Sequence, residues 1–306
     1  HIYSRYLLRL LLYSYLYPYY KSTTFDLFCK YKKTLFPKKI FNKGKRFLEN
    51  CVKKNTMEHN GINTLLNRRT IRKYSDKAIE KETLDTILQA GVRASNCGNM
   101  QIYSIIVTQN QENKEALCKL HFNQPMVKDA SVVLTVCADV NRFHKYCEQR
   151  NAPKSYDNFL WLNVSTIDAT ICTQAMVSAA EELGIGTCYI GTVNYQAKEI
   201  AELLHLPKGV VPVTTITLGY PAENPPLTER LPLEAVVHYE EYEDYNKEKI
   251  EQLYESFEQL PQIKKYIAES KQENLAQVFT NVRYSKKDAE YFSQKYKDFL
   301  KEQEMI

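Results

Sequence analysis

Seven consecutive residues, Arg68-Arg69-Thr70-Ile71-Arg72-Lys73-Tyr74, hold the densest chemistry in this 306-residue chain. Four cations and a hydroxyl fall between Arg68 and Lys73, a composition suited to a dianionic phosphate. Guanidinium forks engage phosphate oxygens bidentately, which an ammonium cannot do as well. Arg68 and Arg72 are four apart and Arg69 and Arg72 three apart, so on a helical turn they would share a face. A solvated basic turn would carry the same residues with no ligand, and composition alone leaves both readings open.

Other nucleotide and metal chemistries find little to stand on. Gly184-x-Gly186 lacks a third glycine and follows a helical pattern rather than a strand, so it is no dinucleotide fingerprint. There is no P-loop, and the six histidines are scattered. His144-x-x-Cys147 reads as a solvated helix face rather than a ligand pair, and no metal site is expected. No side chain is singled out as a nucleophile or other catalytic residue.

The elements that must position these residues follow from periodicity. Helical spacing predicts helices over 58–67, 80–91, 111–121, 143–150, 159–183 and 196–204. Short β-branched runs predict strands over 102–108, 131–138, 187–190 and 213–218, with a short edge strand at 236–238. The run Ser131–Ala138 is the most apolar and reads as central. The helix at 159–183 is apolar on most faces, so it lies in a large core or against a second subunit. A Pro-rich loop spans 221–232, and polar helices interrupted at Pro261 fill 246–306, the last over 286–301. Helices and strands alternate without a simple doubly wound order, which indicates an α+β sandwich.

The net charge of +5 is unevenly distributed. Residues 1–56 carry 13 Lys/Arg against two acids, Asp26 and Glu49, a net of +11; the rest carry 28 against 34, a net of −6. The body therefore offers no electrostatic case for nucleic-acid binding. The apolar run Ile2–Tyr17 is short for a membrane span and interrupted by Arg5 and Arg9, so no stable membrane association is expected. The preferred reading places residues 1–56 upstream of a true start at Met57, with a basic presequence or membrane-surface arm as the alternative. Eight cysteines show no Cys-x-x-Cys pair, and several sit in apolar runs. That points to free thiols in a reducing, cytoplasmic compartment.

The stretch Arg-Arg-Thr-Ile-Arg-Lys-Tyr-Ser-Asp at 68–76 resembles the N-terminal signature of the nitroreductase family of FMN-dependent oxidoreductases. Four further stretches are similar and stand in the right order: Arg93–Gln101, Gln124–Ala130, Gly184–Thr192 and Leu218–Leu233, the last with Gly-Tyr-Pro-Ala-Glu-Asn-Pro-Pro-Leu. The similarity is greatest to the oxygen-insensitive nitroreductase and flavin-reductase branch. It runs from about residue 60 to about 238, so 57–306 reads as the FMN-binding domain.

The resemblance implies a central, mainly antiparallel sheet flanked by helices, a domain-swapped type of homodimer, and a C-terminal helical excursion. It implies that Arg68, Arg69, Thr70 and Arg72 hold the FMN phosphate and ribityl chain, and that Arg230 supplies a second phosphate-binding arginine. Thr228 stands where such relatives carry lysine. Ser95, Asn96, Cys97 and Gln101 lie in the loop that would meet a cofactor bound mainly to the other subunit, with Asn and Cys where serines are usual. Gln124 would hydrogen-bond the pyrimidine edge of the ring, and Ile190-Gly191-Thr192 would bring a backbone N–H to flavin N5. Arg283 is the basic residue placed to touch substrate in the helical excursion. The implied activity is hydride transfer from NADPH or NADH through flavin N5 to a nitroaromatic, quinone or free flavin, by a ping-pong cycle. Segment 268–274 is poor in arginine, which leaves NADH as open as NADPH. Rival readings are a dedicated flavin reductase or other redox enzyme on the same scaffold, and a non-enzymatic flavin-binding redox sensor.

Overall fold

Every residue of strand β2 (Val132–Asp139) is buried, and the rest of the fold is layered on that strand. The computed structural model describes residues 60–306; the expectations for residues 1–56 lie outside them. Helices α1 (Asn60–Leu66) and α2 (Lys81–Val92) come first, followed by β1 (Tyr103–Thr108), α3 (Gln111–Leu120) and α4 (Pro125–Asp129). After β2 come α5 (Asn141–Gln149), the 24-residue α6 (Phe159–Glu182), β3 (Gly186–Ile190), α7 (Ala197–Leu203) and β4 (Val210–Gly219). The C-terminal part contains α8 (Lys247–Glu258), α9 (Pro261–Glu269), α10 (Leu275–Gln277) and α11 (Lys286–Glu302), with a π-helical stretch at Val278–Arg283.

The four strands form one sheet in the order β1-β2-β4-β3, each neighbouring pair antiparallel. Side chains alternate across a strand, and β2 is apolar on both faces because helices cover both. Val132, Leu134 and Val136 pack under α2 and α6 with Ile87, Met176 and Ala180. Val133 packs on the other side with Leu117, Val127 and Ile200, from α3, α4 and α7. The result is a three-layer sandwich. Helix α11 closes one end, where Phe299, Leu300 and Met305 are buried against Ala138 and Val211.

Strand β4 begins at Val210, three residues before its expected start, and carries Pro212 inside it. A register shift between Val136 and Cys137 sets Pro212 opposite Cys137, and a bulge is where a strand tolerates a residue without an N–H. No strand forms at 236–238. A 3-10 turn at Leu233–Ala235 continues instead, with Val236 and Val237 both donating to the Leu233 carbonyl. The face bearing His144 and Cys147 is not solvated either: Cys147 is buried, and the His144 ring lies 6.1 Å from that of Tyr156. Among the described residues, no helix is long and apolar enough to cross a membrane.

The arginine segment does not continue the first helix. Helix α1 ends at Leu66, and residues 70–74 run extended beside the edge of the sheet. Thr70 pairs in parallel with Thr187 of β3, the Ile71 N–H donates to the Thr187 carbonyl at 2.9 Å, and Tyr74 pairs with Pro221. Two glycines allow this approach. A Cβ on Gly186 would come within 2.8 Å of the Ile71 side chain, and one on Gly219 within 2.7 Å of the Tyr74 ring. Tyr74 then locks the segment by donating to the Ile71 carbonyl at 2.8 Å while bonding the Thr217 hydroxyl at 2.7 Å.

Gly219→Ala should therefore push the Tyr74 ring off β4 and cost about 1–3 kcal/mol, as overpacking does in a dense core. Urea unfolding of the variant reads that cost, and an unchanged midpoint would contradict the close approach.

Candidate functional site

Strand β3 joins two of the groups singled out in the sequence. Along its first half runs the segment with Arg68, Thr70 and Arg72, and from its end Ile190-Gly191-Thr192 turns into a 3-10 helix. Cys188, a thiol that Arg72 and Arg68 act on, is only two residues, or about 7 Å along the strand, from Ile190. Burial raises the Cys188 pKa, while the positive charges of Arg72 and Arg68 oppose that rise.

The arginines are not equivalent. Arg68 has a carboxylate of its own: its Nη2 lies 3.1 Å from Oε1 of Glu181, which also accepts from the Thr187 hydroxyl at 2.7 Å. Arg69 donates weakly to the Asn67 carbonyl at 3.4 Å. Arg72 is exposed, and its backbone N–H and that of Lys73 both donate to Glu223 Oε1, at 2.6 and 3.1 Å. Glu223 thus fixes the backbone of the segment, and the exposed Arg72 side chain reaches the Cys188 thiol. The buried Nε atoms of Arg68 and Arg69 lack hydrogen-bond partners among the described residues. Buried guanidinium donors rarely go unpaired, so an anion fits this place.

At the end of β3, Gln124 and Thr192 come together. The Gln124 Nε2 donates to the Thr192 hydroxyl at 3.2 Å and to the His121 carbonyl at 3.1 Å. Gly191 needs no glycine for internal reasons: its φ is not left-handed, and a Cβ there would meet nothing within 4 Å. The space beside its backbone is open, as a flat ligand approaching that backbone would require. The chemistry thus runs from cations at one end of β3 to a polar edge at the other, which matches a molecule with a phosphate tail and a planar head.

The loop of Ser95, Asn96, Cys97 and Gln101 lies elsewhere in the chain. It leads into β1, the opposite sheet edge from β3, three strand spacings or about 14 Å away. Asp168, buried on α6, holds it by accepting from the Cys97 N–H at 3.0 Å. Asn96 Oδ1 accepts from the Gln101 N–H at 3.2 Å, and Arg142 donates to the carbonyls of Met100 and Gln101. Cys97 is an exposed free thiol, whereas Cys118, Cys137, Cys147, Cys172 and Cys188 are buried.

Arg230 folds back on its own loop, donating to the carbonyls of Thr228 and Glu229 at 3.1 and 3.3 Å. That loop starts beside the arginine segment, where the Ala222 N–H donates to the Lys73 carbonyl at 2.9 Å. Arg283 bonds the Tyr266 hydroxyl and lies over that ring, 5.2 Å from its centroid, so it is tied into the helical excursion.

Sequence reasoning missed Glu181, Glu223, Asp168 and His121. The three acids act across separations of 71 to 151 residues and leave no local signature. His121 sits three residues before Gln124, a spacing that could have drawn attention to it.

Comparisons with known proteins place the chain in a family. The model described as "Nitroreductase family" matches residues 65–220. An FMN reductase (NADPH) of Bacillus subtilis is 35% identical over 186 residues, covering 60% of this chain and 75% of that protein. A crystal structure from Bacteroides fragilis is 48% identical with a TM-score of 0.79, covering 80% of this chain and 99% of that one. The NADPH:FMN oxidoreductase of Vibrio harveyi, solved in complex with NAD+, is 31% identical with a TM-score of 0.61, covering 65% of this chain and 85% of that one.

His121 gives the site a measurable pH signature. Its side chain is fully buried, and burial lowers its pKa from 6.5 to about 4. The unfolded chain takes up a proton near pH 6.5 and the folded chain only near 4, so stability is full above pH 6.5 and falls as pH drops. Between pH 7 and 4.5 the wild type should lose about 2–3 kcal/mol relative to His121→Asn, at 1.36 kcal/mol per unit. Urea titrations of both proteins at the two pH values measure the difference.

Proposed function

The chain belongs to the nitroreductase family, and on that footing we propose that it is an FMN-dependent oxidoreductase fuelled by NADPH or NADH. Bound FMN would supply hydride chemistry, passing hydride from the nicotinamide to a nitroaromatic, a quinone or a free flavin in a ping-pong cycle. The single observation that carries this reading is the strand β3 itself, with unpaired buried guanidinium donors at one end and an open glycine backbone at the other. Arg69 and Arg72, with Thr70, would hold the phosphate, and Arg68, already paired with Glu181, would contribute its remaining donors. Gln124, Gly191 and Thr192 would meet the ring edge, and no side chain need act as a nucleophile. The protein would bind, orient and shield the ring, and Arg230 would swing from its own loop to reach the phosphate. Free thiols at six described cysteines support a reducing, cytoplasmic setting.

The site would be completed by a second copy. Helix α6 leaves Phe159 71%, Leu160 63%, Ile167 49% and Ile171 41% exposed, although its other face is core. A largely apolar helix with one uncovered apolar stripe suits a partner of the same kind. Asp168 and the loop of Ser95, Asn96 and Cys97 lie at the edge remote from β3, so in a symmetric dimer that loop would reach the partner's flavin.

The purified protein is expected to be yellow. Arg72→Ala and Arg230→Ala should each weaken FMN binding about ten- to a hundredfold, the value of a charge-assisted contact, and fluorescence titration reads this directly. Full retention of FMN by both variants would displace the phosphate from this position. Ile167→Glu should convert dimer to monomer in light scattering and release flavin with it; a monomeric wild type would exclude the shared site.

A further inference from the structure

His121 is a fully buried imidazole one hydrogen bond from the residues assigned to the ring edge. Its Nδ1 lies 3.0 Å from the Thr192 hydroxyl, and its Nε2 is buried with no hydrogen-bond partner among the described residues. The turn that carries it is held under constraint. Phe122 and Asn123, between His121 and Gln124, adopt left-handed φ values of 55° and 57°, which L-residues other than Asn and Asp seldom take. Phe122 keeps that geometry by packing edge-on against Tyr195 and Phe292, at 6.2 and 6.4 Å between ring centroids.

The positions of the hydrogens follow from counting donors. A neutral imidazole carries one N–H, and an orphaned buried N–H is rarer in folded proteins than an under-used acceptor. Placing the hydrogen on Nδ1 leaves Nε2 as a bare lone pair and gives the N–H a partner in Thr192. Thr192 then accepts twice, from His121 and from Gln124 Nε2, and its own hydroxyl hydrogen has no acceptor within this group. Gln124 has committed its amide nitrogen to the His121 carbonyl and to Thr192, so Oε1 is what it has left to offer. Thr192 and Gln124 are both half-buried, reaching the surface that His121 never touches.

We propose that His121 is a positioning residue: as its Nδ1–H tautomer it donates to Thr192 and so presents one donor, the Thr192 hydroxyl, beside one acceptor, Gln124 Oε1. A donor beside an acceptor is complementary to a cyclic imide edge, a carbonyl next to a ring N–H, which the pyrimidine part of a flavin carries. The inference rests on the FMN reading above and adds to it which groups face the ring and what sets them. Burial keeps the imidazole neutral across the working pH range, so Nε2 carries no N–H in the core. A donor to a ring carbonyl also favours the reduced flavin, whose carbonyls carry more negative charge.

The tautomer is measured directly by long-range 15N–1H correlation on the histidine rings, of which the chain has only six, with His121→Asn identifying the signal. A protonated Nδ1 is expected in both apoprotein and FMN-loaded protein. Asparagine places an N–H where Nδ1 stands, whereas phenylalanine keeps the ring and removes it. His121→Phe and Thr192→Val should each weaken FMN binding about five- to tenfold, one hydrogen bond's worth, and their effects should not add in the double variant. His121→Asn should restore affinity to within about twofold of the wild type, and Thr192→Val should make the bound flavin harder to reduce. An Nε2–H tautomer in wild-type protein that binds FMN stoichiometrically would overturn the assignment of His121 alone. So would wild-type affinity and potential in His121→Phe. A wild type that takes up no FMN, with the Nδ1–H tautomer present in the apoprotein, would overturn the flavin reading and this proposal with it.

Discussion

The molecule depends on one docking event, the laying of residues 70–74 along β3 and the end of β4. The phenol of Tyr74 makes it specific, bonding the Ile71 carbonyl and the Thr217 hydroxyl from a largely desolvated position, and burial raises that phenol's pKa. Two glycines on the strands make room for the Ile71 and Tyr74 side chains. Without this contact the arginines would lie on a free coil, where guanidinium groups lose rotamer freedom on meeting a ligand. With it, their backbone is fixed before any anion arrives, and less binding energy is spent on ordering.

The acids near the arginines fit the same logic. Glu181 neutralises Arg68 and Glu223 accepts two backbone N–H groups, so the carboxylates hold the segment in shape without pairing with the Arg72 guanidinium. This is why the local charge is not simply the sum of the cations. The cluster is best described as one anchored arginine and its neighbours, with the buried Nε donors of Arg68 and Arg69 lacking partners among the described residues.

At the other end of β3 the chain uses geometry rather than charge. Gly191 leaves space, Thr192 and Gln124 supply polar edges, and His121 lies beneath them in the core. The cost of burying an imidazole is partly offset by its bond to Thr192, and Nε2, without a partner among the described residues, remains as the residual cost. Residues of this kind are conspicuous in a folded structure because every buried polar atom must be accounted for. In a sequence they are faint: a histidine between leucine and phenylalanine looks like any amphipathic helix end, and only its spacing to Gln124 marks it.

Much of the architecture was legible from the residues alone. The largely apolar run of β2 demanded cover on both faces, and the spacing in α2 and α3 is helical because periodicity reports burial, whereas α6 was recognised by its length and apolar content. The residue types at 68–72 suited an anion without excluding a solvated basic turn, and it was the family resemblance that drew attention to 124 and 190–192. What the residues could not reveal was their arrangement. An extended course for the arginines is imposed by β3, more than a hundred residues downstream, and overrides the helical phase that α1 would have continued. The 236–238 run has strand-like residues but no neighbour to pair with, and a turn at Leu233 claims its N–H groups instead. Local composition fixes what each residue can do, whereas long-range pairing decides which partners it meets; only the folded chain could put Glu181 on Arg68, Asp168 under Cys97 and His121 behind Thr192.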